Sequence, residues 1–139
     1  MTYTDTRAEL TIEGIEESIV VDYFATINQE NFEQTAALFS EEGQMLAPFE
    51  KPIIGRDAIA LYLEKEARGM ILLPQTGIYE PSEAEDEIRV TGKVKTSLFS
   101  VNVAWYFNLN QGQIISARIK LLASPQELLG LRNTKEADI

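Results

Sequence analysis

The order of patterns along the 139-residue chain predicts an α+β domain, because helical periodicity fills its first half and strand periodicity its second. Apolar residues three and four positions apart recur up to Gly69, and a period of two follows from Ile71 onward. The stretch Asn110-Gln111-Gly112 is typical of a hairpin turn between antiparallel strands. We therefore predict three helices on one face of a curved, four-stranded antiparallel sheet, forming a cone around an apolar cavity.

The helices are predicted from the spacing of their apolar residues. Residues 16–28 form the first helix, with acidic residues at the N-terminal end, where the helix dipole favours negative charge. Asn31 and Gln34 have the spacing of a capping box, and Phe39 completes the apolar face of a second, short helix. The third helix opens in the segment 53–57 and continues to the glycine that precedes the strands.

Strands dominate the second half of the chain. A short strand at 44–46 follows a turn at 41–43, and a short helix over 124–132 begins with an N-cap serine, a first-turn proline and a capping-box glutamate. The long strands have a period of two and are predicted near residues 71–79, 87–96, 98–108 and 113–122.

Composition indicates one soluble domain and excludes several classes of function. The chain has no Cys and no His, which excludes disulfides, thiolate catalysis and imidazole metal sites. Its net charge of −10 argues against nucleic acid and against stable adsorption on anionic lipid, although transient membrane contact stays open. Without a secretory signal or a bilayer-spanning run, a cytoplasmic location is expected. We expect a flexible arm at 1–12, one domain at 13–132 and a frayed tail at 133–139.

Trp105, the one tryptophan of the chain, lies in the middle of an apolar strand pattern. Indole donates one hydrogen bond and accepts none, and a phenol such as Tyr23 can also donate. A chain without His or Cys lacks the commonest general base and the best nucleophile. The residue types that are present therefore favour binding of an apolar ligand over catalysis on a polar one. On composition alone, ordinary core packing of both aromatics stays the alternative.

Six stretches of sequence carry a family resemblance over residues 12–132. The most specific are Pro48-Phe49-Glu50-Lys51-Pro52-Ile53-Ile54-Gly55 and Leu121-Leu122-Ala123-Ser124-Pro125-Gln126-Glu127-Leu128-Leu129, supported by residues 22–28, 37–43, 90–94 and 102–105. Together they resemble the C-terminal domain of the cyanobacterial orange carotenoid proteins, which has a nuclear transport factor 2-like cone fold. The helical domain of those proteins has no counterpart in this sequence, so the resemblance implies a stand-alone homologue of that C-terminal domain.

This resemblance implies a ligand, a function and partners. The stand-alone homologues bind ketocarotenoids such as canthaxanthin or echinenone as homodimers and pass them to helical carotenoid-binding proteins, which implies a carrier with a photoprotective or quenching role. Tyr23 and Trp105 match the two family residues that donate hydrogen bonds to the ring carbonyl. The wall of the tunnel is expected from Ile27, Met70, Leu72, Val94, Thr96, Leu98, Val103, Ile119 and Leu121.

The chain departs from the family pattern at a few positions. Leu98 stands where the family often carries Trp, and Glu66 is followed by Ala67 rather than by Cys. Because the chain contains no Cys at all, any dimer is expected to be non-covalent. Lys120 replaces an acid and is predicted to face solvent on the outer side of the sheet.

The sequence leaves two further classes of function open. A small isomerase or hydrolase of the cone fold would use Asp22 or Glu66 as a base and Tyr23 as an oxyanion donor. A pure interaction domain would use only the surface at which two copies meet. The resemblance favours the pigment carrier, which is not an enzyme.

Overall fold

The computed structural model describes residues 10–122, and none of the helices in that range is long and apolar enough to span a bilayer. The helices are α1 (Ser18–Asn28), α2 (Phe32–Ala37) and α3 (Arg56–Glu66). The strands are β1 (Phe39–Leu46), β2 (Ile53–Ile54), β3 (Ile71–Glu80), β4 (Asp86–Lys95), β5 (Ser100–Asn110) and β6 (Gln113–Leu122). The α+β class is therefore confirmed. The helix predicted over 124–132 and the tail at 133–139 lie outside the described residues.

The strands form one curved sheet in the order β2-β1-β6-β5-β4-β3. Gln111 and Gly112, with φ of 52° and 75°, form the predicted turn between β5 and β6. All neighbouring pairs are antiparallel except β1 and β6, which run parallel with Met45 opposite Ala117. A parallel pair needs a long connection, and the intervening chain supplies α3 and four strands. The expected sheet of four antiparallel strands was thus incomplete, since β1 and β2 extend it.

Aromatic side chains form the centre of the core between the helices and the sheet. Phe24 contacts Trp105 edge to face with ring centroids 4.7 Å apart, and Tyr23 contacts Phe107 in the same way at 4.9 Å. This geometry is favoured because the positive edge of one ring meets the negative face of the other. The buried side chains of the helices and of the strands belong to one apolar cluster, so the helices pack on one face of the sheet.

The second helix is shorter than predicted, and its expected capping box does not form. The Asn31 side chain makes no capping hydrogen bond. The Thr35 hydroxyl lies 3.3 Å from the Asn31 carbonyl oxygen and 2.7 Å from the Thr26 hydroxyl oxygen. These bonds tie α2 to α1 and occupy polar groups of the turn between the helices, and α2 ends at Ala37.

The strand β1 begins at Phe39, which the periodicity placed on the second helix. Glu41 and Glu42 are both exposed, because the pairing of β1 with β6 shifts register between Phe39 and Gln44. Such an irregularity interrupts the alternation of inward and outward side chains. The predicted turn at 41–43 is therefore part of a bulged strand.

The helix α3 begins at Arg56 rather than within the apolar pair before it. Ile53 and Ile54 instead form β2 and pair with β1. Gly55 has φ of 95°, a conformation that glycine adopts without steric cost, and it turns the chain from strand to helix.

The N-terminal segment packs on the domain from its first described residues. Ile12 is buried, and the backbone N–H of Glu13 donates to the Gln75 carbonyl while the N–H of Gly77 donates to the Glu13 carbonyl. The end of the predicted arm at 1–12 thus belongs to the domain, whereas residues 1–9 lie outside the described range.

Candidate ligand-binding cavity

A cavity of about 300 Å³ opens at one end of the cone, between α1, the C-terminal end of α3 and the sheet. Its wall is almost wholly apolar, and ten of the eleven predicted site residues line it. These ten are Tyr23, Ile27, Met70, Leu72, Val94, Thr96, Val103, Trp105, Ile119 and Leu121.

The register of the sheet explains why the strand residues converge on the cavity. Leu72 of β3 lies opposite Val94 of β4, which lies opposite Val101 of β5. Val103 of β5 lies opposite Leu121 of β6. Because side chains alternate along a strand, residues directly opposite each other point to the same face, here the helix-covered one.

Leu98 is the one predicted wall residue that does not line the cavity. It lies at the tip of the β4–β5 turn and is 87% exposed. The backbone N–H groups of Leu98 and Phe99 both donate to the Thr96 hydroxyl at 3.2 Å, which closes a tight turn in which Phe99 lines the cavity. The prediction for Leu98 was wrong because strand alternation was extended into the turn.

The sequence reasoning also missed part of the wall. Most of the missed residues come from the β1–β2 loop and from α3, elements whose packing depends on contacts distant in sequence. The apolar face of α3 and the proline-rich loop after β1 were the available signals. The additional lining residues are Met45, Ala47, Pro48, Tyr62, Leu63, Glu66, Ala67, Phe99 and Val101.

Two hydrogen-bond donors face this apolar space. The Tyr23 hydroxyl and the Trp105 indole N–H make no hydrogen bond to residues 10–122, and no fully enclosed side-chain polar atom in that range lacks a partner. Both donors therefore reach the accessible space of the cavity that their rings line. Edge-to-face contacts with Phe24 and Phe107 hold the two rings in place.

The phenols of the wall are held in their protonated, donating form. Burial raises the pKa of Tyr23, and the neighbouring Tyr62 adds to this effect. Burial is also the main cause that raises the pKa of Tyr62, and the negative charges of Glu50 and Glu66 raise it further. Neither phenol is thus expected to lose its proton near neutral pH.

The raised pKa of Tyr23 predicts a loss of stability at alkaline pH. Unfolding releases a proton from this phenol once the pH exceeds its ordinary pKa of 10.0, whereas the folded chain keeps it. The free energy of unfolding should fall by roughly 1 kcal/mol for each pH unit above 10 until the folded phenol also ionises. Urea unfolding of wild type and Tyr23→Phe at pH 8 to 11.5 measures this. Equal pH slopes for both proteins would contradict the prediction.

Asn28 links α1 to the strand on the far edge of the sheet. Its side-chain N–H donates to the Leu72 carbonyl at 2.9 Å, and its side-chain oxygen accepts from the Leu72 N–H at 2.8 Å. The amide therefore pairs with the backbone of β3 as a neighbouring strand would. This link could not be predicted from the sequence, because an asparagine at a helix end is typical of a cap.

The comparisons with known proteins bear first on the fold. A nuclear transport factor 2-like protein of unknown function from Cytophaga hutchinsonii superposes with a TM-score of 0.63 at 13% identity, over 86% of this chain and 99% of that one. No family model matches the sequence. Fold and cavity together define a nuclear transport factor 2-like domain with an apolar pocket.

Two other proteins are more similar to this chain in sequence. The orange carotenoid-binding protein of Limnospira maxima is 38% identical over 131 residues, which is 90% of this chain and 41% of that protein. The orange carotenoid protein of Anabaena (Nostoc) binding canthaxanthin superposes with a TM-score of 0.79 at 42% identity, over 87% of this chain and 40% of that one. The chain is a homologue of the C-terminal domain of orange carotenoid protein. It spans about two fifths of the length of the curated relatives that it matches.

Proposed function

We propose that this chain is a ketocarotenoid-binding carrier protein that holds one end ring of the pigment in its cavity. The observation that carries the proposal is the pair of donors, the Tyr23 hydroxyl and the Trp105 N–H, in a wall that is otherwise almost wholly apolar. A keto oxygen can only accept hydrogen bonds, so it complements a phenol and an indole that have no other partner within residues 10–122. The apolar remainder of the ring would meet aliphatic side chains.

Canthaxanthin and echinenone are the ligands that we propose. Both present a keto group on a terminal ring, and the Anabaena (Nostoc) relative was solved binding canthaxanthin. The cavity of about 300 Å³ suits one ring and the first part of the polyene rather than a whole carotenoid. The rest of the pigment would then extend through the mouth.

A homodimer would cover the exposed half of the pigment. The cavity of about 300 Å³ holds one ring and the first part of the polyene, so one copy would leave the rest of the pigment uncovered. Phe49 and Phe99 adjoin the mouth and are 96% and 57% exposed, which supports an apolar contact between two copies there. The dimer would be non-covalent, since the chain has no Cys.

The carrier would pass its pigment to helical carotenoid-binding proteins, in a photoprotective or quenching role. A non-covalent dimer that shares one ligand across its interface can release the ligand when it separates. Transient contact with a membrane would give access to the lipid-soluble pigment. We propose these partners on the resemblance to the stand-alone homologues, and none of them is a nucleic acid.

Expression in a host that makes ketocarotenoid tests the proposal. We expect a coloured protein that is a homodimer by light scattering, with no change when a reducing agent is added. Protein purified from a host without carotenoid is the control for the oligomeric state. A colourless product would contradict the proposed ligand, and a coloured monomer would contradict the shared-ligand dimer.

A small cone-fold enzyme is the second candidate, and one observation favours it. Glu66 lines the same cavity as Tyr23, so a carboxylate and a phenol could act on one apolar substrate. Asp22, the other proposed base, is not among the lining residues. Turnover of an apolar ketone that is lost in Glu66→Gln would support the enzyme, whereas unchanged pigment loading in Glu66→Gln agrees with the carrier.

A further inference from the structure

The side of the sheet that points away from the helices carries a cluster of positive charge. Arg89, Lys93 and Lys95 project from β4, and Arg118 and Lys120 project from β6, all of them exposed. The five side chains point away from the core, because they alternate along β4 and β6 with residues that point into it. The exposure predicted for Lys120 is confirmed. We call these five residues the basic face.

The basic face is unexpected in a chain whose net charge is −10. Residues 10–122 contain nine Lys and Arg residues, of which five lie on this one surface. None of the five forms an ion pair with the part of the chain that the structure describes, whereas Arg68 on the opposite side pairs with Glu30 and Glu64. Within the described range, three acids also lie on this side of the sheet. Glu80 and Glu87 are paired at the end of β3 and β4 away from the cavity mouth, and Glu13 lies beside Thr76 at the outer edge of β3.

Exposed aliphatic side chains accompany these cations. On β3, Ile71 lies opposite Lys95 and Leu73 lies opposite Lys93. Further along the same strand, Ile78 lies opposite Arg89. The three aliphatic side chains are 39% to 51% exposed. Each cation of β4 therefore has an exposed aliphatic neighbour. Surfaces that combine Lys and Arg with apolar side chains bind anionic bilayers, where phosphates meet the cations and the apolar groups enter the headgroup region.

We propose that the basic face docks this chain onto an anionic lipid bilayer. The cations are spread over an area instead of converging on one point, since β4 and β6 lie about 10 Å apart and Arg89 and Lys95 are about 20 Å apart along the strand. A lipid surface offers many phosphates at once and can contact all five, whereas a single small anion reaches one or two of them.

The net charge of the whole chain does not prevent this contact. Charges more than a Debye length of about 8 Å apart are largely screened at physiological ionic strength, so the acidic residues of the helical side act weakly on a bilayer at the basic face. The expectation drawn from the net charge concerns the chain as a whole, whereas the proposal concerns this one surface. Pigment binding is not required for docking, although Lys95 and Ile71 lie next to Val94 and Leu72 of the cavity wall.

Cosedimentation with carotenoid-free vesicles tests the proposal. The full chain should bind vesicles of phosphatidylcholine with 30 mol% phosphatidylglycerol and not vesicles of phosphatidylcholine alone, and binding should weaken as salt is raised. Each cation near the surface contributes a factor of roughly five to the affinity, so Lys93→Glu/Lys120→Glu should lower it by at least about 30-fold.

The matched control is Lys51→Glu/Lys65→Glu, which changes the net charge equally at two exposed positions outside the basic face. It should bind the vesicles nearly as well as wild type. The proposal is overturned if the two double variants lose vesicle affinity equally, or if wild type binds neutral vesicles equally well. It is also overturned if wild type binds no vesicles, and an acidic protein then becomes the better candidate partner. Thermal unfolding of both variants separates a loss of binding from a loss of fold.

Discussion

Replacement of both Tyr23 and Trp105 by Phe is expected to abolish the retention of ketocarotenoid. Each neutral hydrogen bond contributes about 1 kcal/mol net, and a carbonyl left buried without a donor costs roughly 1–3 kcal/mol more. A combined loss of about 3 kcal/mol lowers the affinity more than 100-fold. Any pigment that stays bound should absorb at shorter wavelength, because the donors no longer draw electron density toward the keto oxygen.

Absorption spectra and pigment-to-protein ratios of the two single variants and the double variant measure this effect. Phe keeps a ring at each position, so the edge-to-face contacts with Phe24 and Phe107 are largely retained. Tyr106→Phe is the matched control, since Tyr106 lies on the strand β5 but not in the cavity wall. Wild-type spectra and loading in the double variant would show that neither residue holds the carbonyl.

Gly92→Ala is expected to destabilise the fold by about 3 kcal/mol, at the upper end of what overpacking costs. Gly92 lies opposite Pro74 of β3 on the core side of the sheet, and a Cβ atom there would lie 2.7 Å from the Pro74 Cα and 3.0 Å from the Leu73 carbonyl carbon. Both neighbours are backbone atoms, so relief requires β3 to shift away from β4. The melting temperature should fall by roughly 10 °C.

Gly112→Ala provides the comparison for this prediction. No atom lies within 4 Å of the Cβ position at Gly112, and the cost there comes from its φ of 75° alone. That cost is about 1–2 kcal/mol. If calorimetry finds that Gly92→Ala melts no lower than Gly112→Ala, the close approach of Gly92 to β3 is not a constraint on the sheet.

The fold could be predicted from the sequence wherever local pattern and local structure agree. Alternation along β4, β5 and β6 and the glycine of the last turn identified three neighbouring strands. The errors fall where a distant partner decides the structure. Phe39 belongs to a strand because β6, some 75 residues further along the chain, pairs with it. Ile53 and Ile54 pair with the nearby strand β1, and this strand was missed because two residues contain no period to detect.

Most of the strand residues that line the candidate cavity were predicted, whereas the lining residues of α3 and of the loops were not. Tyr23, Trp105 and the inward positions of β4 to β6 follow from the alternation and from the family resemblance. Leu98 was predicted to line the cavity, but Phe99 does so instead, because the hydrogen bonds of Thr96 curl the chain before the next strand begins. Pro48 and its neighbours reach the cavity through the path of a loop, which no periodicity describes.

The amide of Asn28 restricts how the cavity can widen for a guest. By pairing with both backbone groups of Leu72, it joins α1 and β3 into one rigid unit. Tyr23 and Ile27 therefore keep a constant distance from the wall formed by β3. Among the residues that the structure describes, the tight turn around Phe99 and the loop that carries Pro48 line the cavity without this link. Widening for a long guest is therefore expected at these two segments, while the wall formed by Tyr23, Ile27 and Leu72 stays still.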